Sequence, residues 1–174
     1  MSDHLSIQPG DELREAMRFW TSGVAIVGAE FKGIRHGMTV SSFTSLSLEP
    51  PLVMVSLQKA TRTHDLVIGS QAFGVTILNS DQKEISNRFA GMNTESDDRF
   101  VGLETYTLET GSPLLHAGLA FFDCRLVAQH NAGTNTMMIG EVAAAQVHAG
   151  GDQISPLVYF NRDYRNLTRS GSPT

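Results

Sequence analysis

Cysteine is almost missing: the chain holds one, Cys124. A single thiol excludes an internal disulfide and any zinc site built from several cysteines. Positive charge is also scarce, with 13 Lys and Arg against 18 Asp and Glu and a net charge of −5. That balance argues against nucleic acid or an anionic membrane surface as the main partner. Long apolar runs are absent as well. Stretches such as 119–122 fall far short of the roughly 20 residues that span a bilayer. The opening residues, MSDHLSIQPGDELRE, lack a charged start followed by an apolar stretch, so no secretory signal is expected and the cytoplasm is the expected compartment. Several familiar motifs are missing too: a Gly-x-Gly-x-x-Gly opening a helix, a Walker lysine loop, His-Glu-x-x-His and Gly-x-Ser-x-Gly. The six histidines, at 4, 36, 64, 116, 130 and 148, show no ligand spacing, so no metal is expected.

What is present is a core-forming, turn-rich chain: 174 residues, 41% hydrophobic, with 16 glycines. The length suits one domain over 11–167, with 1–10 as a loose leader ending in Pro9-Gly10 and 168–174 as a frayed tail. Asp11 is placed to cap a helix through Arg14 to Trp20, with Leu13, Ala16, Met17 and Trp20 on one apolar face and Gly23 as its stop. Strands are expected at 24–29, 37–41, 52–57, 73–78, 105–108, 119–129, 136–147 and 157–160. Turns fall at Lys32-Gly33 and at Gly133. Short helices are expected at 63–69 and 82–90, the second with Asp81 as its cap and Glu84 completing a capping box. Residues 91–98, GMNTESDD, read as a polar loop. Strands that do not alternate with helices indicate a mainly β fold, an antiparallel barrel with a few short flanking helices.

Three clusters carry possible chemistry. His36 to Pro51 holds six hydroxyls, at Thr39, Ser41, Ser42, Thr44, Ser45 and Ser47. Small side chains leave backbone groups open to a flat heteroaromatic ligand, and Gly37 permits close approach. Equally, such hydroxyls serve to satisfy local backbone groups. Gln58 to Thr63 follows a buried strand and opens a helix. Its two cations and two hydroxyls make either a phosphate seat or a solvated loop with an ordinary cap. Arg88-Phe89-Ala90-Gly91, with Arg99-Phe100, reads as a ring or phosphate contact or as surface arginines beside core rings.

The order of these segments is similar to that of the flavin reductase-like family, the FMN-binding split barrels. It comes closest to the short reductase components of two-component flavin-dependent monooxygenases. The segments that carry the resemblance are FWTSGVAIVGA at 19–29, HGMTVSSFTSLSLEPPLVMVSL at 36–57 and FGVTILNSDQKEISNRFAG at 73–91. DRF at 98–100, GSPLLHAGLAFFDCRL at 111–126, MIGEV at 138–142 and PLVYFNRDYRNL at 156–167 follow in order. The resemblance implies a split β-barrel, a homodimer, a groove for FMN or FAD, reduction by NADH or NADPH, and a flavin-dependent monooxygenase as recipient of the reduced flavin. By position, Met38, Thr39, Val40, Ser41, Ser42 and Ser45 would line the isoalloxazine. Ser47 and Leu48 would lie at its pyrimidine end or beside the ribityl chain. Lys59, Thr61, Arg62 and Thr63 would hold the phosphate, and Phe89, Ala90 and Arg99 would close the far side.

One position departs from the family pattern. Asn135 stands where much of the family has a histidine facing the nicotinamide, and Tyr159 and Tyr164 would shape that same face. Asparagine hydrogen-bonds a carboxamide but carries no proton. Hydride transfer is the cofactors' own chemistry, so no catalytic acid or base is expected. The rival expectation is a flavin carrier or sensor on the same barrel with little reductase activity. A barrel holding another ring, such as a haem, is the third.

Overall fold

The computed structural model describes residues 9–92 and 98–167. Most of the expected leader (1–8), much of the 91–98 loop and the tail 168–174 lie outside the described residues. The chain begins with α1 (Pro9–Met17), β1 (Ser22–Gly23), β2 (Ala25–Phe31), β3 (Ile34–Val40), β4 (Thr44–Leu48) and β5 (Pro51–Gln58). Then come α2 (Arg62–Ser70), β6 (Ala72–Ile77), α3 (Lys83–Phe89), β7 (Thr105–Tyr106) and β8 (Leu114–Leu115). A long hairpin, β9 (Ala120–Ala132) and β10 (Asn135–Val147), precedes β11 (Val158–Phe160) and β12 (Asp163–Arg165).

Seven strands form one antiparallel sheet in the order β3-β2-β6-β9-β10-β5-β4. In a flat sheet β3 and β5 would stand about 24 Å apart, five strand spacings. Yet Val40 of β3 and Val55 and Leu57 of β5 belong to one buried cluster with Val27, Phe73, Val75 and Met138. The sheet therefore curls around its core. Its end strands β3 and β4 follow one another in the chain but do not pair, so the barrel is split there and not closed. Leu66 and Val67 of α2 enter the same cluster. Among the described residues no helix is long and apolar enough to cross a membrane.

The opposite face of the sheet carries a second cluster: Val24, Ile26, Leu78, Phe89, Phe100, Leu115 and Leu157. Alternation along 24–29 sends Val24 and Ile26 to this cluster and Ala25, Val27 and Ala29 to the first, which is why that stretch is apolar throughout. A row of glycines makes room for the outer layer. Gly37, Gly28 and Gly74 are register partners on β3, β2 and β6. A Cβ on Gly37 would meet the Phe89 ring at 2.8 Å, and one on Gly28 would meet the Pro113 carbonyl at 2.7 Å. What approaches the backbone at Gly37 is thus the protein's own ring, not a ligand. Phe89 and Phe100 meet edge to face at 4.8 Å, both fully buried; such rings contribute roughly 1.5–3 kcal/mol each.

Local expectations fared unevenly. Lys32 and Gly33 do turn the β2–β3 hairpin, both with positive φ (53° and 75°). The β9–β10 hairpin turns at Gly133 as expected. The first helix starts at Pro9, inside the expected leader, and ends at Met17, well before Gly23. None of its residues is buried, and Leu13, Met17 and Trp20 of the expected core face are 52–69% exposed. Asp81 does not cap α3. Asn79 Oδ1 accepts from the Asp81 N–H at 2.9 Å and Gln82 Oε1 accepts from the Asn79 N–H at 2.9 Å, so the earlier Asn organises that turn. Gln82 occupies the cap position without a side-chain cap bond.

Candidate functional site

The richest polar wall lies between β3 and α3. Residues alternate along β3, so Met38 and Val40 pack against the inner cluster while Thr39 faces α3. Thr39 Oγ1 donates to the Ser86 carbonyl at 2.6 Å. The Tyr164 hydroxyl, brought over from β12, donates to Asn87 Oδ1 at 3.1 Å and lies 2.8 Å from Ser86 Oγ. Tyr159 of β11 meets the Tyr164 ring edge to face at 5.5 Å, and Lys83 Nζ lies 5.6 Å from that ring's centre. These side chains enclose a cavity of about 380 Å³, a size typical of small-molecule sites. Of the residues expected at the site, Thr39, Val40, Ser41, Ala90, Tyr159 and Tyr164 line it.

Beyond Val40 the chain bends. Pairing of β3 with β2 ends at Val40, and pairing of β4 with β5 starts at Thr44, so residues 41–43 have no strand partner. Their main-chain donors and acceptors suit the edge of a ring with alternating polar atoms, so the residues present fit a flavin. The Ser42 hydroxyl donates to the Ser56 carbonyl at 3.2 Å and accepts from the Ser56 N–H at 3.0 Å, pinning the bend to β5. Asn135, at the start of β10, donates from Nδ2 to Ser56 Oγ at 3.0 Å. Asn135 does not line the cavity that Tyr159 and Tyr164 share; it joins the bend from the other side, through Ser56. Ser45, Ser47 and Leu48 sit on the edge strand β4, where Leu48 is 89% exposed.

The expected phosphate residues are divided. Thr61 caps α2: its Oγ1 donates to the Gln58 carbonyl at 2.7 Å and accepts from the His64 N–H at 3.3 Å. Lys59 Nζ donates to the Gly133 carbonyl at 2.7 Å and faces a cavity of about 450 Å³ with His64, Gln129 and Thr136. Arg62 lines a different cleft, of about 430 Å³, beside Arg35 and Asp98. Thr63 corrects the expectation outright. It is fully buried, and its hydroxyl bonds His36 Nδ1 at 2.8 Å, so no ligand reaches it.

The far side also needs correcting. Phe89 is a core ring with no exposed surface. Arg99 donates from Nη1 to the carbonyls of Phe89 (2.6 Å) and Gly37 (3.1 Å), tying the end of α3 to β3. Burial lowers its pKa from the ordinary arginine value. It is a clamp within the fold.

Ser56, Lys83, Ser86, Asn87 and Arg162 belong to the site and escaped the sequence reading. A signal existed for two of them. Ser86 and Asn87 are polar positions within the expected helix 82–90, next to the Arg88–Gly91 cluster. Cys124 stands apart as a core residue; burial first, then the neighbouring Asp123, pushes its thiol up to about 12.

Comparison with known proteins adds a consistent picture. A family model described as the flavin reductase like domain matches residues 17–168. The chain is 36% identical over 163 residues to an NADH-dependent flavin reductase of a Rhodococcus species, covering 91% of this chain and 87% of that protein. It is 34% identical over 157 residues to the reductase component of 4-hydroxyphenylacetate 3-monooxygenase from Thermus thermophilus, covering 90% and 96% respectively. The styrene monooxygenase flavin reductase structure from Pseudomonas putida S12 superposes with a TM-score of 0.77 at 33% identity, covering 90% of this chain and 97% of that one.

Proposed function

The chain belongs to the flavin reductase-like family, and from that premise we propose that it is an NAD(P)H:flavin oxidoreductase supplying reduced FMN or FAD to a partner monooxygenase. The observation that carries this is the single family match over 17–168, which contains every residue lining the Thr39–Tyr164 cavity and the whole 41–43 bend. When bound, the flavin supplies the hydride-accepting N5 and NADH or NADPH the hydride-donating C4.

The chain's own work is placement. The main chain of Met38 to Ser42, with Ser45, holds the ring edge. Ser47 and Leu48 flank it along β4, and Ala90 closes one side. Phosphate is taken up at the start of α2 by Lys59 or by Arg62, which face separate clefts, while Thr61 caps the helix between them. Asn135 receives the nicotinamide from the Ser56 side of the 41–43 bend and Tyr159 and Tyr164 receive it from the cavity side, and Ser86 and Asn87 hold the Tyr164 hydroxyl in place. Thr63, Phe89 and Arg99 act on the site only by supporting these groups. A second copy of the chain completes the groove: Phe19, Trp20, Leu46 and Leu48 leave apolar surface exposed, which a homodimer would cover. The cytoplasm suits a donor of reduced flavin that draws on the NAD(P)H pool.

The test is oxidation of NADH or NADPH followed at fixed enzyme with FMN or FAD added, all four pairs in turn. Flavin-dependent turnover in at least one pair is expected. No turnover in any pair, with stoichiometric yellow flavin retained on purification, would establish the carrier reading in its place. Size-exclusion chromatography with light scattering should give twice the 18.9 kDa chain mass.

A further inference from the structure

Ser56 touches both halves of the site. Its main chain is held on both sides by the Ser42 hydroxyl, so it anchors the bend assigned to the flavin. Its own hydroxyl oxygen accepts a hydrogen bond from Asn135 Nδ2 at 3.0 Å. The Asn135 oxygen is thereby left on the solvent side, where the exposed Thr134 hydroxyl donates to it at 3.2 Å. A carbonyl oxygen has two lone pairs, so one remains for a ligand.

We propose that Ser56 is a positioning residue that orients the Asn135 amide so that Oδ1 accepts a hydrogen bond from the carboxamide N–H of the reduced nicotinamide. Ser56 rests in this role on the flavin reductase assignment above. Without its hydroxyl, either end of the amide can turn outward, and an outward-facing Nδ2 offers the carboxamide N–H a donor where it needs an acceptor. Because the same residue fixes the 41–43 bend, ring and donor are placed against one common strand. A site built around one such bond discriminates against a donor that lacks the N–H.

The probe is the reduced 3-acetylpyridine analogue of NADH, whose ring carries a methyl ketone and no N–H. The wild-type enzyme should prefer NADH in kcat/KM. Ser56→Ala keeps the main-chain bonds to Ser42 and removes only the hydroxyl. It should raise the KM for NADH about fivefold, the worth of one neutral hydrogen bond, and shrink the preference by the same factor. The flavin Kd, read by fluorescence quenching without any turnover, should stay within about twofold. Asn135→Leu should lose the same preference, the double variant should lose no more, and Ser56→Thr should restore it. Equal losses for both donors, or a flavin Kd that moves with the KM, would overturn the proposal and leave Ser56 a structural residue. A wild-type enzyme that oxidises neither NADH nor NADPH with either flavin defeats the reductase assignment itself. Turnover with an unchanged preference in Ser56→Ala defeats only this inference.

Discussion

Two helix-associated regions were marked for ligands, and they turned out opposite in kind. At the start of α2 the marked residues are largely absorbed by the fold. Thr63 bonds His36 inside the core, Thr61 caps the helix, Lys59 reaches back to the β9–β10 turn, and Arg62 faces another cleft. Along α3 the marked residues Phe89 and Arg99 are core and clamp, yet unmarked Ser86 and Asn87 join Thr39 and Tyr164 in lining a cavity. A run of ligand-type residues in sequence therefore says little about which face they share. A strand distributes neighbours to opposite sides and a helix turns them by about 100° each. The α3 wall converges because it is assembled from three distant segments.

The contrast can be attacked first where the α3 wall meets the sheet. Gly37→Ala places a Cβ 2.8 Å from Phe89 and 3.0 Å from Phe100, two fully buried rings. Overpacking of this kind costs about 1–3 kcal/mol, and with two rigid neighbours the upper end is expected, read as a lower urea midpoint. Thr63→Val tests the other region. Removing the hydroxyl deprives buried His36 of a 2.8 Å partner, at about 1–2 kcal/mol, while the flavin KM stays as in wild type. A raised flavin KM at normal stability would return Thr63 to the phosphate site.

The same contrast explains what the sequence could disclose. The long strands, the Lys32-Gly33 and Gly133 turns and the antiparallel class were legible, because period-2 burial and turn chemistry are local. The strand β4 was hidden: Thr44 to Leu48 has an exposed outer face, so its hydroxyls read as a ligand cluster and not as an edge. The helix α1 shows the reverse error, since an amphipathic pattern does not say what the apolar face meets. Within the site, Thr39 and Ser41 stand in the hydroxyl cluster and Ala90 in the Arg88–Gly91 cluster, and the family resemblance gave each its role. Ser56 was hidden in the apolar run LVMVSL, where a lone hydroxyl has no local signature, and its pairing with Ser42 and Asn135 exists only once β5 lies between the bend and β10. Gly37 was seen but misread, because its partner Phe89 is some fifty residues away in sequence.

Smaller perturbations sharpen the division. Tyr164→Phe removes the hydroxyl that bridges Ser86 and Asn87 and should cost about 1 kcal/mol, with the KM for NAD(P)H rising more than that for flavin. Arg62→Ala, on the exposed side of α2, should leave the melting temperature within about a degree or two, since surface charges contribute little. It should raise the KM for flavin phosphate esters and spare riboflavin, which has no phosphate. Equal effects on both would remove Arg62 from the phosphate role and leave the α2 region without a ligand cation beyond Lys59.

The weakest expected effect joins α1 to the cavity wall. Arg162 lines the Thr39–Tyr164 cavity and pairs with Glu15, while Arg18 pairs with Glu15 at 2.5 Å and donates to Asn161 at 3.0 Å. The Glu15 pKa is lowered from its ordinary value of 4.5, chiefly by the Arg18 hydrogen bond and also by the charge of Arg162. A carboxylate depressed in the folded state stabilises it fully above the unfolded pKa and ceases to as pH falls through the folded one. The hold on α1 should therefore be complete at neutral pH and be lost below about pH 4.5, the upper bound set by the unfolded group. Hydrogen-exchange protection factors over 9–17 should fall in that range while those of α2, which has no such ion pair to the β11–β12 turn, hold steady. Glu15→Gln should show the low protection at every pH, and about 1 M salt should reproduce it by screening. Protection that is indifferent to both would mean that the Asn161 N–H bond to the Arg18 carbonyl, at 2.8 Å, is enough to fix α1 against the wall.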